Sequence, residues 1–508
     1  MSVPVIGIDL GTTNSVVAYA DESGTVTVIA DENGDRIIPS VVHFEPNGNI
    51  VVGRYAREYL KIEPQRVARI FKRGMGTPTF LPGGQPFVVD GKTLVPEELS
   101  ALVLLKLRKM AEAHFGEPVT DAVITVPHYF GEPERAATRS AGEIIGLNVL
   151  QIVNEPTAAA IAHGHSGEAE EGTLLVFDLG GGTFDVTGMR NGAGGEMEVI
   201  ATGGDRELGG TDFDEAIVSW MAEQARGIGA ELGNRAEVAE PAEQMKMEVS
   251  ARDEAKRSLS FDGKPLIAAL TRDEFERLIA DQARLVEDAV LGTLDKLDFA
   301  GPEVTTALMV GGSSRIPMFQ AMVEKIIGKK PELTKNLDED VARGAALLGA
   351  KLGDTLDPRS ELALRPDPVD AASHALGVTL VHPEDHSRLI NEVVIPEGTP
   401  IPHASSHDLM TVEDGQTTVK LELNKGADQD LDFTRRLDES VGHFGRPVPK
   451  EHPLRCAIEY TADQLIKVHL YDGLSGQLLT ELEVAHKGML SEEERDAARE
   501  YLRRTGVG

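Results

Sequence analysis

The run Leu174-Leu175-Val176-Phe177-Asp178-Leu179-Gly180-Gly181-Gly182-Thr183-Phe184-Asp185-Val186 reads as strand, turn, strand. Its first four apolar residues make a buried strand. The three glycines then give a turn with no Cβ to hold a ligand away. Asp178 and Asp185 bracket the turn, and Thr183 lies just past it. Consecutive backbone N–H groups in such a turn form a concave anion site. A carboxylate beside an anion site calls for a bridging cation. The stretch therefore reads as a phosphate site with Mg2+, an ion that favours carboxylates, water and phosphate oxygens.

The same design stands nearer the start, in Val5-Ile6-Gly7-Ile8-Asp9-Leu10-Gly11-Thr12-Thr13-Asn14-Ser15-Val16-Val17-Ala18-Tyr19. Two copies imply two related lobes, each offering one phosphate hairpin. A third glycine turn, Gly311-Gly312-Ser313-Ser314-Arg315-Ile316-Pro317, also follows an apolar strand, Ala307-Leu308-Met309-Val310. One glycine turn alone would be an ordinary tight turn. Three after buried-type strands, two with the same Asp-Leu-Gly, point to nucleotide. Gly91-Lys92-Thr93 imitates the tail of a P-loop, but Pro86 stands where its first glycine belongs.

With 508 residues the chain has room for two or three domains, each with its own core. A net charge of −33 disfavours nucleic acid and anionic lipid as partners. Cys456 is the only cysteine, so no intramolecular disulfide or cysteine metal cluster forms. No apolar run approaches ~18 residues and no signal peptide is apparent, so the chain reads as cytoplasmic with no membrane contact.

In chain order, Ala68 to Gly76 holds a basic cluster around Lys72 and Arg73. It reads as a solvated helix end or as a lysine reaching a phosphate. Pro96 to Phe115 is an amphipathic helix opened by proline and closed by Gly116. The strand Asp121 to Val126 precedes a helix from about Pro133 to Ile145. Val149 to Asn154 is a strand ending at Glu155, before a small-residue helix. Ligands gather at strand C-terminal ends, so Glu155 reads equally as a catalytic carboxylate or a helix cap. His165 to Gly172 looks like a surface connection between lobes. From Gly209 to about Asp298 the pattern is mostly helical, and Asp253-Glu254-Ala255-Lys256-Arg257-Ser258-Leu259-Ser260 reads there as a solvated helix face. Asp338 to Leu352 is a further small-residue helix. Residues 353–373 read as a linker. Beyond them the period becomes two, as in Val419-Lys420-Leu421-Glu422-Leu423, with Asp414-Gly415 and Asp472-Gly473 as turns. Ser491-Glu492-Glu493-Glu494 is a capping box opening a short helix.

Ile8-Asp9-Leu10-Gly11-Thr12-Thr13-Asn14-Ser15, Asn154-Glu155-Pro156-Thr157-Ala158-Ala159-Ala160, Asp178 to Asp185 and Gly311 to Pro317 together resemble the motifs of the DnaK-type seventy-kilodalton heat-shock chaperones. The resemblance covers roughly the first 490 residues. It implies an α/β actin-like two-lobed ATPase domain (1–352), the linker (353–373), an all-β sandwich that binds peptides (374–490) and a short C-terminal helix (491–508). It implies hydrolysis of ATP to ADP and phosphate, coupled to capture of extended polypeptide, with Mg2+ and, as a further candidate ion, K+. It places Thr12, Thr13 and Asn14 on the phosphates from one lobe, and Gly180, Gly181, Gly182 and Thr183 from the other. Asp9 and Asp178 organise hydrated Mg2+, Lys72 is the catalytic lysine, and Glu155 orients water or metal ligands. Asp253, Lys256, Arg257 and Ser260 hold the adenosine, together with Gly311, Gly312, Ser313, Arg315, Ile316 and Asp338. Val378, Val381, Leu409, Val412 and Val419 fall where the family lines its peptide groove, although a sandwich core needs alternating apolar residues too.

Three departures stand out. Pro366-Asp367-Pro368-Val369 replaces a run of leucines before Asp370, which argues against docking of the linker as an edge strand and leaves Leu362-Ala363-Leu364 as the substitute. Gln151 stands where the family has an arginine, which weakens the expected J-domain contact; nucleotide-exchange co-chaperones are the other implied partners. Ser491 to Arg504 supplies only a stub of the family's helical lid, so peptide should exchange quickly or the groove should serve one dedicated partner. Two rivals share the fold: a nucleotide-binding scaffold for one client or regulatory protein, and an actin-fold small-molecule kinase.

Overall fold

A computed structural model describes residues 3–77, 85–165, 171–192, 196–233, 235–297, 303–334, 336–484 and 490–504. The polar connection expected at His165 to Gly172 lies largely at 166–170, outside the described residues.

Two sheets carry the first part of the chain, and they share one topology. In the first, the strands run in the order Asn148–Asn154, Asp121–Val126, Ile6–Leu10, Asn14–Ala20, Val26–Val28. In the second, the order is Glu332–Leu333, Thr306–Val310, Gly172–Leu179, Phe184–Asn191, Met197–Asp205. Each sheet is an antiparallel meander of three strands extended by two parallel ones. The first strand of each ends in Asp-Leu-Gly, so the two glycine turns occupy equivalent places. Parallel strands need helical crossovers, and the helices Pro96–Phe115 and Glu132–Ile144 supply them in the first lobe. The former stops at Gly116, whose φ of 71° is the left-handed cap that glycine adopts without strain.

Two small-residue helices tie the lobes together. Helix Glu155–His165 leaves the first sheet and packs on the second; helix Asp340–Leu352 follows the second sheet and packs on the first. They cross so closely that a Cβ on Gly344 would lie 1.7 Å from the Ala158 carbonyl oxygen. Alanine and glycine are required here because only backbone fits between the axes.

Residues beyond 373 form two four-stranded antiparallel sheets around one core. One sheet contains Leu389–Ile395, Leu376–Val381, Gln416–Lys425 and Arg435–Val448; the other contains His403–Met410, Pro453–Tyr460, Ile466–Asp472 and Leu478–Val484. Inward residues Leu376, Val378, Leu423, Ile458, Val468 and Leu470 are buried, as the period of two demands.

The linker corrects an expectation. Val369 docks on the edge strand Met197–Asp205: its N–H donates to the Met197 carbonyl at 2.7 Å and its carbonyl accepts from Val199 N–H at 2.9 Å. Successive backbone N–H groups of a strand face opposite sides. Pro366 and Pro368 therefore occupy positions whose missing N–H would face away from the sheet, and they cost the docking nothing. Leu362-Ala363-Leu364 forms a short helix rather than a substitute strand, with Leu362 and Ala363 packed at the lobe base.

The C-terminal helix Glu492–Arg504 begins with the capping box, Ser491 N–H donating to Glu494 at 2.8 Å. It packs on the first lobe: Ala498 is buried there, Tyr501 and Leu502 lie against the same core, and Arg495 pairs with Glu143 at 3.0 Å. Lys92 sits 3.6 Å from the Tyr501 ring centroid.

Candidate nucleotide site between the lobes

The two glycine turns meet. A Cβ on Gly181 would fall 2.0 Å from Thr13 Oγ1, and one on Gly182 would fall 2.4 Å from Thr12 Cγ2. Only bare backbone allows the second hairpin to face the first at this range. Behind them opens a cavity of about 520 Å3. Of the residues singled out in the sequence, it is lined by Asp9, Thr12, Thr13, Asn14, Lys72, Glu155, Asp178, Gly180, Gly181, Gly182, Thr183, Gly311, Gly312, Ser313, Arg315, Ile316 and Asp338.

The charges at its floor are unbalanced. Lys72 is buried and donates to Glu155 at 2.6 Å, with its ammonium 5.6 Å from the Phe130 ring centroid. Asp9 accepts a hydrogen bond from Thr125 at 3.2 Å. Burial, then the Glu155 charge, pushes the Asp9 carboxyl up to about 7 despite Lys72. Asp178 and Asp185 are held well above the usual carboxylate range, again by burial first and Glu155 second. One oxygen of Asp185 and the Thr13 hydroxyl are buried without a hydrogen-bond partner among the described residues. Four carboxyl groups thus surround one ammonium, and such a set is stable as anions only with a further cation. No group of three His, Cys, Asp or Glu side chains among the described residues is gathered tightly enough to hold a metal directly. Mg2+ is a cation that binds through one or two carboxylates together with water and phosphate oxygens.

Four expected contacts are overturned. Asp253, Lys256, Arg257 and Ser260 do not line the cavity, because Glu254–Phe261 is a strand paired with Lys264–Thr271. Asp253 is exposed and faces Arg272, Lys256 pairs with Glu254 at 2.7 Å, and Arg257 pairs with Glu248 at 2.7 Å. The preceding helix, Ala236–Ala251, takes their place with Glu243, Lys246, Met247 and Ser250. Lys246 also donates to the Gly210 carbonyl and forms an ion pair with Asp214, both at 2.8 Å, which fixes this helix to the one that starts at Gly210. Glu243, Lys246 and Ser250 are spaced by three and four, the signature of one helix face that the sequence reading passed over. Opposite them, Arg315 bonds Asp338 at 2.8 Å.

The five apolar groove candidates divide. Val378 is 1% exposed within the β core and cannot reach a peptide, so its core role replaces the expected one. Val381 is half-buried on the same sheet; Val419 and Leu409 lie against the core from different sheets, and Val412 is exposed beyond Met410.

A second polar cluster lies where the linker and β sheets meet the first lobe. Arg135 is fully buried; it donates to the Phe130 carbonyl at 2.8 Å and to the Asn154 side-chain oxygen. The Asn154 amide in turn donates to Asp370. Asp463 accepts from Ile152 N–H at 3.0 Å and pairs with Arg139. Burial raises Asp370, opposed by Arg135. No sequence motif announced this cluster beyond Asn154 and Asp370.

A family model described as "Hsp70 protein" matches residues 5–82 and 83–496. Chaperone protein DnaK of Thermotoga neapolitana is 40% identical over 83% of this chain and 70% of its own length. The protein of the same name from Thermotoga maritima is 39% identical over the same shares. That of Thermosipho melanesiensis is 36% identical over 96% of this chain and 81% of its own length.

Proposed function

The chain belongs to the Hsp70 family, and from that premise we propose how its residues divide the work of an ATP-dependent chaperone. The protein hydrolyses ATP and binds unfolded polypeptide, and members of the family bind ATP or ADP with Mg2+. Residues 1–352 are the actin-like ATPase unit, 353–373 the linker, 374–490 a peptide-binding β-sandwich and 491–508 a helical clasp. Thr12, Thr13 and Asn14 take the phosphates from one side; Gly180 to Thr183 take them from the other. Lys246 and Ser250, with Gly311, Gly312, Ser313, Arg315, Ile316 and Asp338, take the adenosine end of the cavity. Phosphoryl transfer needs positioning and charge neutralisation more than covalent help. Lys72 neutralises charge that develops on the transferring group. Glu155 is engaged by Lys72, which leaves Asp178 to align the attacking water. Asp9 and Asp178 would hold Mg2+, which would supply Lewis-acid charge to the phosphates. K+ is a second candidate for the surplus negative charge near Asp185.

Val381, Leu409, Val412 and Val419 are the proposed contacts for extended peptide. J-domain and nucleotide-exchange proteins are the proposed partners, and the cytoplasm the proposed compartment; no helix among the described residues is long and apolar enough to cross a membrane. The observation that carries the reading is the contact of the two hairpins over a cavity floored by Lys72 and surplus carboxylates. Release of a fluorescent unfolded peptide, timed with ATP and then with ADP, tests it. Faster release with ATP is expected. Identical release, with intact ATP turnover, would leave a nucleotide-binding scaffold instead.

A further inference from the structure

The second glycine turn can act as an anion nest only if its peptide units face the right way. In a trans peptide the C=O and the following N–H point in opposite directions. The Gly180 carbonyl accepts from Gly210 N–H at 3.0 Å and from the Ser313 hydroxyl at 2.9 Å. The Gly181 carbonyl accepts from Thr211 N–H at 2.7 Å. Both are thus drawn back by their own lobe, and the N–H groups of Gly181 and Gly182 are turned outward. The third carbonyl, that of Gly182, accepts instead from Arg73 Nε at 2.9 Å. Arg73 belongs to the other lobe.

The rest of that guanidinium is committed to the same place. It pairs with Asp212 at 2.6 Å and reaches the Thr211 hydroxyl at 3.3 Å. Asp212 also accepts from Gly209 N–H at 2.8 Å, so it is fixed at the start of its helix. Arg73 does not line the nucleotide cavity. It lines an adjoining cavity of about 410 Å3, which shares Thr12, Thr13, Thr211, Asp214 and Glu243 with the first as a wall. Arg73 therefore reaches the nucleotide cavity through Gly182 and Thr211, which line it, rather than by lining it itself.

We propose that Arg73 is a positioning residue: by holding the Gly182 carbonyl from across the cleft, it aims the Thr183 N–H at the terminal phosphoryl group, and only while the lobes are closed. The first two donors of the nest are permanent, because one lobe builds them. The third is conditional, because it needs both lobes. Planar fork geometry is required to reach a carbonyl and a carboxylate at once, which lysine cannot reproduce.

This inference rests on the reading of the cleft as an ATP site, and the experiment separates the two. The full chain is compared with Arg73→Ala, Arg73→Lys and Asp212→Asn, the last keeping the helix-start acceptor while weakening the clamp from the opposite lobe. For Arg73→Ala, kcat for ATP hydrolysis should fall roughly 10- to 100-fold. KM for ATP and affinity for MgADP should stay within about threefold, whereas binding of MgADP plus vanadate, a mimic of the transferring phosphoryl group, should weaken in step with kcat. Arg73→Lys should recover little, and Asp212→Asn should give a smaller loss of the same kind, not additive with Arg73→Ala. Wild-type kcat in Arg73→Ala, or equal loss of MgADP and vanadate-complex affinity, would overturn the proposal. Failure of the unsubstituted chain to bind MgADP would instead overturn the reading of the site. If Arg73→Ala does not fold, Asp212→Asn alone decides: an unchanged kcat rejects the clamp.

Discussion

The molecule has two buried polar seams, and they are built on opposite principles. In the cleft between the lobes, four carboxyl groups face one lysine, and the surplus charge is left for a ligand to neutralise. At the junction of lobe, linker and β sheets, Arg135 meets Asn154 and Asp370, and the charges close among themselves. An unbalanced seam invites occupancy; a balanced one invites docking. On the proposed reading one is a binding site and the other a latch, and the inventory of charges distinguishes them.

The largest effect that would sharpen this contrast lies in the cleft. Lys72→Ala should cut single-turnover ATP hydrolysis by about 10²- to 10³-fold while nucleotide stays bound. Normal turnover in that variant would remove the distinction, because the lone cation would then be ornamental.

At the junction, Arg135→Ala strands Asp370 and Asn154 in a buried site. Loss of one partner of a buried pair costs about 3–5 kcal/mol. Hydrogen exchange at the Val369 amide, which is bonded in the docked linker, should accelerate accordingly. Unchanged protection would mean that the latch lies elsewhere.

Acid should open the same seam. His128 and His374 are each pushed down to about 3, by burial first and then by neighbouring groups: Arg135, His374 and Lys296 act on His128, and Lys425, Lys296 and Arg135 on His374. Asn154 contacts His128 Nδ1 at 3.3 Å, and the Nε2 atoms of both rings are buried without a partner among the described residues. The docked state therefore excludes protons that the undocked state would accept near pH 6.5. Docking is fully favoured above that pH and weakens as pH falls towards 3, by about tenfold per histidine per pH unit. Asp370 titrates the other way: its raised carboxyl takes a proton more readily when docked, which offsets part of the loss. Small-angle scattering of the full chain from pH 7.5 to 5 should show expansion that His128→Asn with His374→Leu flattens. An equal expansion in the double variant would assign the acid response to other groups.

The smallest effects concern the linker. Val369→Pro removes the N–H that bonds Met197 and should cost docking about 1–3 kcal/mol. Pro368→Ala should change it by less than about 0.5 kcal/mol, since its nitrogen faces away from the sheet. A reversal of that order would show that the linker pairs in another register.

How much of this was legible beforehand follows from sequence separation. The hairpins were readable because strand, turn glycines and aspartate are contiguous, and the repeated Asp-Leu-Gly sits on equivalent strands of the two sheets. The polar face of the cavity is harder to place from sequence, because the charged stretch around Lys256 and Ser260 imitates a solvated helix. Its exposure alternates along Glu254–Phe261, and Asp262-Gly263, with φ of 49° and 73°, closes a hairpin that the dipeptide itself foreshadowed. The face that does line the cavity, Glu243, Lys246 and Ser250, lay one helix earlier. The junction was illegible for a different reason. Arg135 meets Asn154 only 19 residues on, but Asn154 meets Asp370 across 216 residues and Arg139 meets Asp463 across 324. The prolines before Asp370 mislead because residue type alone does not say which way each nitrogen points.

The backbone-on-backbone crossing at Gly344 and Ala158 has a mechanical meaning. Interlocked side chains behave as gear teeth and move in steps, whereas two smooth cylinders can roll. A bearing of that kind lies close beneath the glycine turns: Glu155 and Val341, each three residues from the crossing, line the same cavity, so a slight rotation there changes how the two hairpins face each other. Any bulky residue at position 344 would act as grit in it.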